Sequence, residues 1–409
     1  MKIPLAALDG GGRAGHKLGA MSLREPHLQA ATQPVIIATS GPPEAEAGGI
    51  LTIDLGALEA NWRALQRKVG PAEAAAVVKA DGYGCGIEPV TITLAKAGCR
   101  TFFVAHLLEA RRVRRLAPEA SIYVLNGLAP NAAQGYAEAY ARPVIGSLIE
   151  LAEWDAFVSS SNWRGGMALH VDTGMNRLGF SSEEVAALAT RTQLEHHGIT
   201  LLMSHFACAD TPEHPLNDQQ VRAFRQVRSV FRGIPCSLAN SSGIFLGPSA
   251  YGDIVRPGMA LYGANPTPGK TNPMRPVVDL KARVLQVRNV ARKDTVGYGA
   301  SWTAKRSARV AVISAGYGDG IMRHLGATDA GGRGVALVAG KRCPMVGRIS
   351  MDLLAIDVSE LADNAVRRGD FVTLIGPGLE LEEVAALAGT ISYEILTTLG
   401  RRYHRIYRG

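Results

Sequence analysis

Long apolar runs are missing from this chain: no stretch approaches the roughly 18 residues that a membrane-spanning helix needs, so the sequence does not read as a membrane protein. Residues 1–48 hold Gly10-Gly11-Gly12 and a stretch rich in Pro, Ala, Glu and Gly. Their longest apolar run, Val35 to Ala38, is too short for a signal-peptide core, and they read as a flexible N-terminal extension. Cysteine is sparse too. Cys85, Cys99, Cys208, Cys236 and Cys343 are odd in number, scattered and free of any Cys-x-x-Cys pair, which suits a reducing cytoplasm better than a disulfide framework or a zinc site. The net charge of +8 raises the question of nucleic acid, but the basic clusters Arg111–Arg115 and Arg401–Arg408 lack interleaved aromatics apart from Tyr403 and Tyr407. They read as solvated faces, with no nucleic-acid partner.

What is present is a globular composition, 47% apolar and 20% charged, in a chain whose 409 residues suit two domains. From Leu51 to about Gly263, short apolar runs alternate with amphipathic stretches. Leu51-Thr52-Ile53 leads through Asp54, an N-cap, into a helix whose Leu55, Leu58, Trp62, Leu65 and Val69 recur at helical spacing. Strands at Ala74–Val78, Thr101–Ala105 and Ser121–Leu125 alternate with helices at Ile87–Ala97 and Leu107–Leu116. Further strands follow near Met167–Val171, Thr200–Ser204, Cys236–Ala239 and Asp253–Val255. Such repeated βα units predict a (β/α)8 barrel over residues 49–276. Beyond Pro276 the texture changes to β-branched runs at Val277–Val290, Arg309–Ile313, Val335–Val338, Leu353–Val358 and Phe371–Ile375, with helices at Leu381–Leu387 and Tyr393–Leu399. Residues 277–409 therefore read as a smaller, mostly β C-terminal domain.

Of the ten lysines, Lys79 alone ends an apolar strand, Ala74-Ala75-Ala76-Val77-Val78, and it precedes Ala80-Asp81-Gly82-Tyr83-Gly84. Catalytic groups of parallel barrels project from the C-terminal ends of strands. A lysine amine desolvated there loses basicity and becomes a nucleophile able to form a Schiff base with an aldehyde cofactor.

Val77-Val78-Lys79-Ala80-Asp81-Gly82-Tyr83-Gly84-Cys85-Gly86 resembles the cofactor-lysine signature of the alanine racemases, barrel enzymes that carry pyridoxal 5′-phosphate. It departs at Gly82 and Cys85, where the family usually has Ala and His. Further motifs follow in the family's order. They are Asp172-Thr173-Gly174-Met175-Asn176-Arg177-Leu178-Gly179-Phe180, Ser204-His205-Phe206-Ala207, Asn240-Ser241-Ser242 and Arg256-Pro257-Gly258-Met259-Ala260-Leu261-Tyr262-Gly263. Beyond the barrel come Val296-Gly297-Tyr298-Gly299, Gly316-Tyr317-Gly318-Asp319-Gly320, Gly347-Arg348-Ile349-Ser350-Met351-Asp352 and Ser392-Tyr393-Glu394. The resemblance runs from about residue 50 to the C-terminus.

The resemblance implies that Lys79 and Tyr298 are the acid/base pair on opposite faces of the substrate's α-carbon, Tyr298 coming from the partner subunit of a homodimer with shared sites. It implies that His205 supports Tyr298, and that Arg256 donates to His205 and to the pyridine nitrogen. Tyr83, Ser241, Gly258, Met259 and Tyr393 are its phosphate site. Arg177 and the Met351 backbone take the substrate carboxylate, and Tyr317 shapes the entrance. The product expected is D-alanine for peptidoglycan. One departure stands out: seven residues before Arg177, where the family often has a CO2-modified lysine, this chain has His170, which cannot reproduce that negative charge. Other readings are a broader small-amino-acid racemase acting on serine, a barrel decarboxylase, or a non-catalytic pyridoxal-phosphate homeostasis protein. The last lacks the second domain.

Overall fold

The computed structural model describes residues 36–190 and 198–409. Of the expected extension over residues 1–48, residues 1–35 lie outside the described residues. Ile36–Ser40 forms a strand, antiparallel to His404–Arg408 near the C-terminus.

The first helix, Leu55–Val69, starts where its sequence directs. Asp54 Oδ1 accepts the Ala57 N–H at 2.7 Å, satisfying one of the amides that every helix start leaves unpaired. Leu55, Leu58, Trp62, Leu65 and Val69 form its buried stripe. Trp62 Nε1 donates to Ala74 O at 2.8 Å, docking the helix on the strand that leads to Lys79.

Parallel strands Cys236–Ser237, Ile199–Met203, Met167–His170, Arg142–Ile145, Ser121–Val124, Thr101–Val104 and Ala76–Val77 are hydrogen-bonded in that order, and Ile254–Val255 pairs with Glu73–Ala74. Glu73–Ala74 and Ala76–Val77 continue one another across Ala75, whose N–H donates to Val255 O at 3.0 Å, and a parallel bridge joins Asn240 to Arg256. The sheet thereby closes with eight strands. Thr101–Val104 and Met167–His170 are buried at every residue, as expected of strands with helices outside and packed side chains inside.

Two placements differ from the sequence reading. Arg142–Ile145 is a barrel strand that the run of apolar residues did not reveal; it is four residues long and contains Pro143, which donates no ladder bond. Gly49–Asp54, counted with the barrel, lies in the other sheet, between Val278–Val290 and His404–Arg408. Its strictly alternating burial suits a sheet with one covered face.

Val278–Val290 is the spine of the β-rich part, antiparallel to Gly49–Asp54, Phe371–Ile375 and Ala308–Ile313. Helix Ser392–Thr398 carries Tyr393 to the barrel mouth. Buried Arg405 reaches from the terminal strand to donate to Gly84 O at 2.7 Å, tying this sheet to the loop after Lys79. A Cβ at position 84 would lie 2.1 Å from Leu396 O, so this close approach requires glycine.

Candidate active site

The C-terminal ends of the barrel strands converge on one cavity of about 340 Å³. Its walls include Lys79, Tyr83, Asn126, His170, Arg177, His205, Asn240, Ser241, Arg256, Gly258, Met259 and Tyr393. All the expected lysine-side residues therefore meet.

Lys79 opens an unusual stretch of backbone. Ala80, Asp81 and Gly82 have φ/ψ of 53/51°, 55/44° and 63/46°, and Tyr83 and Gly84 continue with φ of 51° and 77°. This is a turn of left-handed helix, costing about 1–2 kcal/mol for each residue with a side chain. It is closed by Gly82 N–H to Val78 O at 3.0 Å, Gly84 N–H to Ala80 O at 2.9 Å and Gly86 N–H to Asp81 O at 2.7 Å. It folds Tyr83 back into the cavity that Lys79 lines. Burial, then the Arg177 guanidinium, hold the Lys79 amine below its ordinary pKa, while Glu109 opposes them. The free amine is the nucleophilic form.

Arg256 is 3% exposed and faces no carboxylate among its hydrogen-bond partners. Nη1 donates to Ser237 Oγ at 2.5 Å; Nη2 donates to Ser204 O at 2.6 Å, Leu238 O at 3.3 Å and His205 Nδ1 at 3.1 Å. Among the described residues none accepts from Nε. Burial lowers its pKa to about 9, so it stays cationic at neutral pH. A guanidinium cannot accept, so His205 Nδ1 must, which assigns the ring proton to Nε2. Burial first, then Arg256, Arg177, His170 and Lys79, hold His205 well below its usual pKa. It is a neutral imidazole with a directed donor.

Ser241 organises another part of the cavity wall. Buried Ser241 Oγ accepts the Gly258 N–H at 2.9 Å and the Ala260 N–H at 3.3 Å, fixing the turn Met259–Tyr262. The Tyr83 ring stacks on Tyr262 at 4.6 Å and lies 6.1 Å from that of Tyr393. A Cβ on Gly258 would stand 2.3 Å from Tyr83 Oη, so the phenol fills the space a side chain would take. Burial, then Asp210, raises Tyr393 to about 12, and burial, then Tyr393, raises Tyr83 further, so both remain hydroxyl donors. The Ser241 hydroxyl and two phenols bring O–H donors, of the kind a phosphate accepts, to one corner of the cavity.

Asp172 shapes the loop that presents Arg177: its oxygens accept the N–H groups of Gly174, Met175 and Asn176 at 2.8, 2.9 and 2.9 Å. Nearby His170 is 8% exposed, and burial, with Arg256 and Arg177 outweighing Asp172, lowers its pKa to about 4. Arg177 and Arg256 thus line the cavity beside two histidines that burial keeps neutral and the Lys79 amine.

Tyr298, Tyr317 and Met351 do not line that cavity. Tyr298 is 72% exposed and lines a separate cavity of about 710 Å³ with Arg348, Ser350 and Leu353. Tyr317 and Met351, 46% and 55% exposed, sit on adjoining loops joined by Tyr317 N–H to Ser350 O at 3.0 Å and Gly318 N–H to Met351 O at 2.8 Å. Asn126 and Glu109 were not singled out from the sequence. Asn126 lies two residues past a barrel strand, and that position was its only signal.

Known proteins resemble the whole assembly. The family described as "Alanine racemase, N-terminal domain" matches residues 53–266, and "Alanine racemase, C-terminal domain" matches residues 277–407. A protein of Methylobacterium nodulans named "Alanine racemase" is 54% identical over 360 residues, covering 88% of this chain and 96% of that one. One of Agrobacterium fabrum named "Alanine racemase, biosynthetic" is 44% identical, covering 87% and 93%, and another from that organism carries the word "catabolic". A crystal structure of alanine racemase from Bartonella henselae with covalently bound pyridoxal phosphate superposes with a TM-score of 0.84 at 39% identity, covering 88% of this chain and 99% of that one.

Proposed function

The chain belongs to the alanine racemase family, and from that premise we propose that it interconverts L- and D-alanine at a site where Lys79 faces Tyr298 of the partner subunit. The observation that carries this reading is the division of the site residues. Lys79 lies with Ser241, the two phenols and a polarised histidine in one cavity, while Tyr298, Tyr317 and Met351 stand exposed outside that cavity. A second copy placed head to tail would bring the two sets together.

The residues present fit pyridoxal 5′-phosphate. Lys79 would hold its aldehyde carbon, and Ser241, the Gly258 and Met259 backbone, Tyr83 and Tyr393 its phosphate. Arg256 Nε, without an acceptor among the described residues, would face the pyridine nitrogen. When bound, the cofactor supplies the electron sink that makes an amino acid's α-hydrogen removable. A cationic Arg256 disfavours a proton on the ring, which moderates that sink and limits side reactions.

Freed when the substrate's amino group takes its place at the aldehyde carbon, Lys79 Nζ would exchange protons with one face of the α-carbon and the partner subunit's Tyr298 Oη with the other, one taking the α-proton as the other delivers one. A phenol is a weak acid, with a free pKa near 10. The His205 Nε2–H donor, fixed by Arg256, stabilises its ionised form. Arg177 and the partner subunit's Met351 backbone hold the substrate carboxylate, and Tyr317 narrows the approach. We place the enzyme in the cytoplasm, supplying D-alanine for peptidoglycan; a deletion strain that grows only with added D-alanine supports that role, and unaided growth counts against it.

The test of the site is borohydride reduction of the coloured holoenzyme followed by peptide mapping. Label on Lys79 supports the reading, and label on another lysine overturns it. Initial rates on alanine and serine fix the substrate, faster turnover of serine removing the alanine assignment.

A further inference from the structure

Helix Leu107–Leu116 grips the left-handed turn after Lys79 at two points. Glu109 Oε1 accepts the Ala80 N–H at 2.7 Å, while its Oε2 accepts the Ala105 and His106 N–H groups at 2.8 and 3.1 Å. One carboxylate thus joins the residue after Lys79 to the loop that leaves the neighbouring barrel strand. Three residues on, along the same helix face, Arg112 donates from Nη2 to Asp81 Oδ1 at 2.7 Å, and from Nε and Nη2 to the two oxygens of Glu88 at 2.6 and 2.7 Å. Asp81 Oδ1 also accepts the Ile87 N–H at 3.2 Å, so the fork reaches the start of helix Ile87–Ala97 as well.

An isolated surface ion pair contributes little. Here a half-buried guanidinium, its side chain 24% exposed, makes a bidentate contact and shares a second carboxylate, and one of its targets lies inside the strained turn. Ala80, Asp81 and Tyr83 each carry a side chain at positive φ, a conformation that persists only where neighbours enforce it. The bonds within the turn are local and would not fix its position against the barrel.

We propose that Glu109 and Arg112 are positioning residues, which hold the left-handed turn Ala80–Gly84 against the barrel end and so set where the Lys79 amine and the Tyr83 hydroxyl stand. The proposal rests on the reading of Lys79 as the cofactor lysine. Glu109 has a second effect: it is the carboxylate that opposes burial and Arg177 at Lys79, an amine to which His205 is also coupled.

The test uses the holoenzyme with Arg112→Ala, Arg112→Lys and Glu109→Gln, assayed at a temperature where each variant is folded. Arg112→Ala lowers kcat on the order of tenfold through misplacement of the amine. KM for alanine changes by less than about twofold, because Arg177 stands on a different loop. The visible circular-dichroism band of the bound cofactor, which reports its orientation, changes in parallel. Arg112→Lys restores only part, since an ammonium cannot form the planar fork. In Glu109→Gln an amide N–H2 must face a backbone N–H, and the limb of the pH–rate profile that belongs to Lys79 moves to lower pH. Variants that melt earlier but keep wild-type kcat, dichroism and pH profile overturn the proposal. Borohydride label on a lysine other than Lys79 in the wild type overturns the underlying reading instead, so the two failures are distinguishable.

Discussion

Arg256 Nη2 stands 3.1 Å from His205 Nδ1, and this contact decides which ring nitrogen carries the proton. The same guanidinium supplies donors to Ser204 O, Leu238 O and Ser237 Oγ. Arg256→Lys keeps a positive charge but loses the fork, leaving at least one buried acceptor unpaired at about 1–3 kcal/mol. The expected outcome is a lower melting temperature and a racemisation rate reduced on the order of a hundredfold, as His205 loses its fixed orientation. Initial-rate assays beside thermal melts check both.

Two histidines of the cavity, His170 and His205, make stability depend on pH. In the folded chain His170 is lowered to about 4 from its ordinary 6.5, and His205 well below it. Below the ordinary value the unfolded chain binds protons that the folded chain refuses, so unfolding gains. Their contribution is fully present above about pH 6.5 and is lost as pH falls toward 4. Melting temperature should fall across that window, and His170→Gln should flatten the slope. An equal slope in the variant would remove His170 from the account.

Gly258 has no room for a methyl group, since a Cβ would lie 2.3 Å from Tyr83 Oη. Gly258→Ala pushes the phenol out of the phosphate corner. Affinity for pyridoxal 5′-phosphate should drop on the order of tenfold or more, the worth of one good charge-assisted hydrogen bond. Absorbance titration of the apoenzyme measures it.

Arg177 shares its cavity with His170 and has no carboxylate ion-pair partner among the described residues, so its hold on a substrate carboxylate depends on its own planar fork. Arg177→Lys should raise KM for alanine on the order of tenfold while changing kcat less, the pattern of lost uniform binding. Steady-state kinetics in both directions separates the two constants.

Much of this was legible in the chain. Ile87–Ala97 and Leu107–Leu116 have the bounds that helical spacing indicated, and Val335–Val338 and Phe371–Ile375 those of their β-branched runs. Lys79 stood out as the lysine at the end of an apolar strand. Arg142–Ile145 did not stand out, because four residues with a proline carry no periodicity. Gly49–Asp54 was assigned to its neighbours in sequence, although its partners are over 200 residues away. Nor could sequence reveal the left-handed turn. Ala80 and Tyr83 have no local preference for it, and beyond its own closing bonds it is held by Glu109, Arg112 and Arg405, which are distant in sequence.

The central claim is that each site joins Lys79 of one subunit to Tyr298 of the other. Lys79→Ala and Tyr298→Phe chains, each inactive alone, are unfolded together, refolded as a mixture and assayed for alanine racemisation. Shared sites predict recovery of about a quarter of wild-type activity, because half the dimers are hybrids and each hybrid holds one intact Lys79–Tyr298 pair. A mixture that forms hybrid dimers and stays inactive would contradict the account.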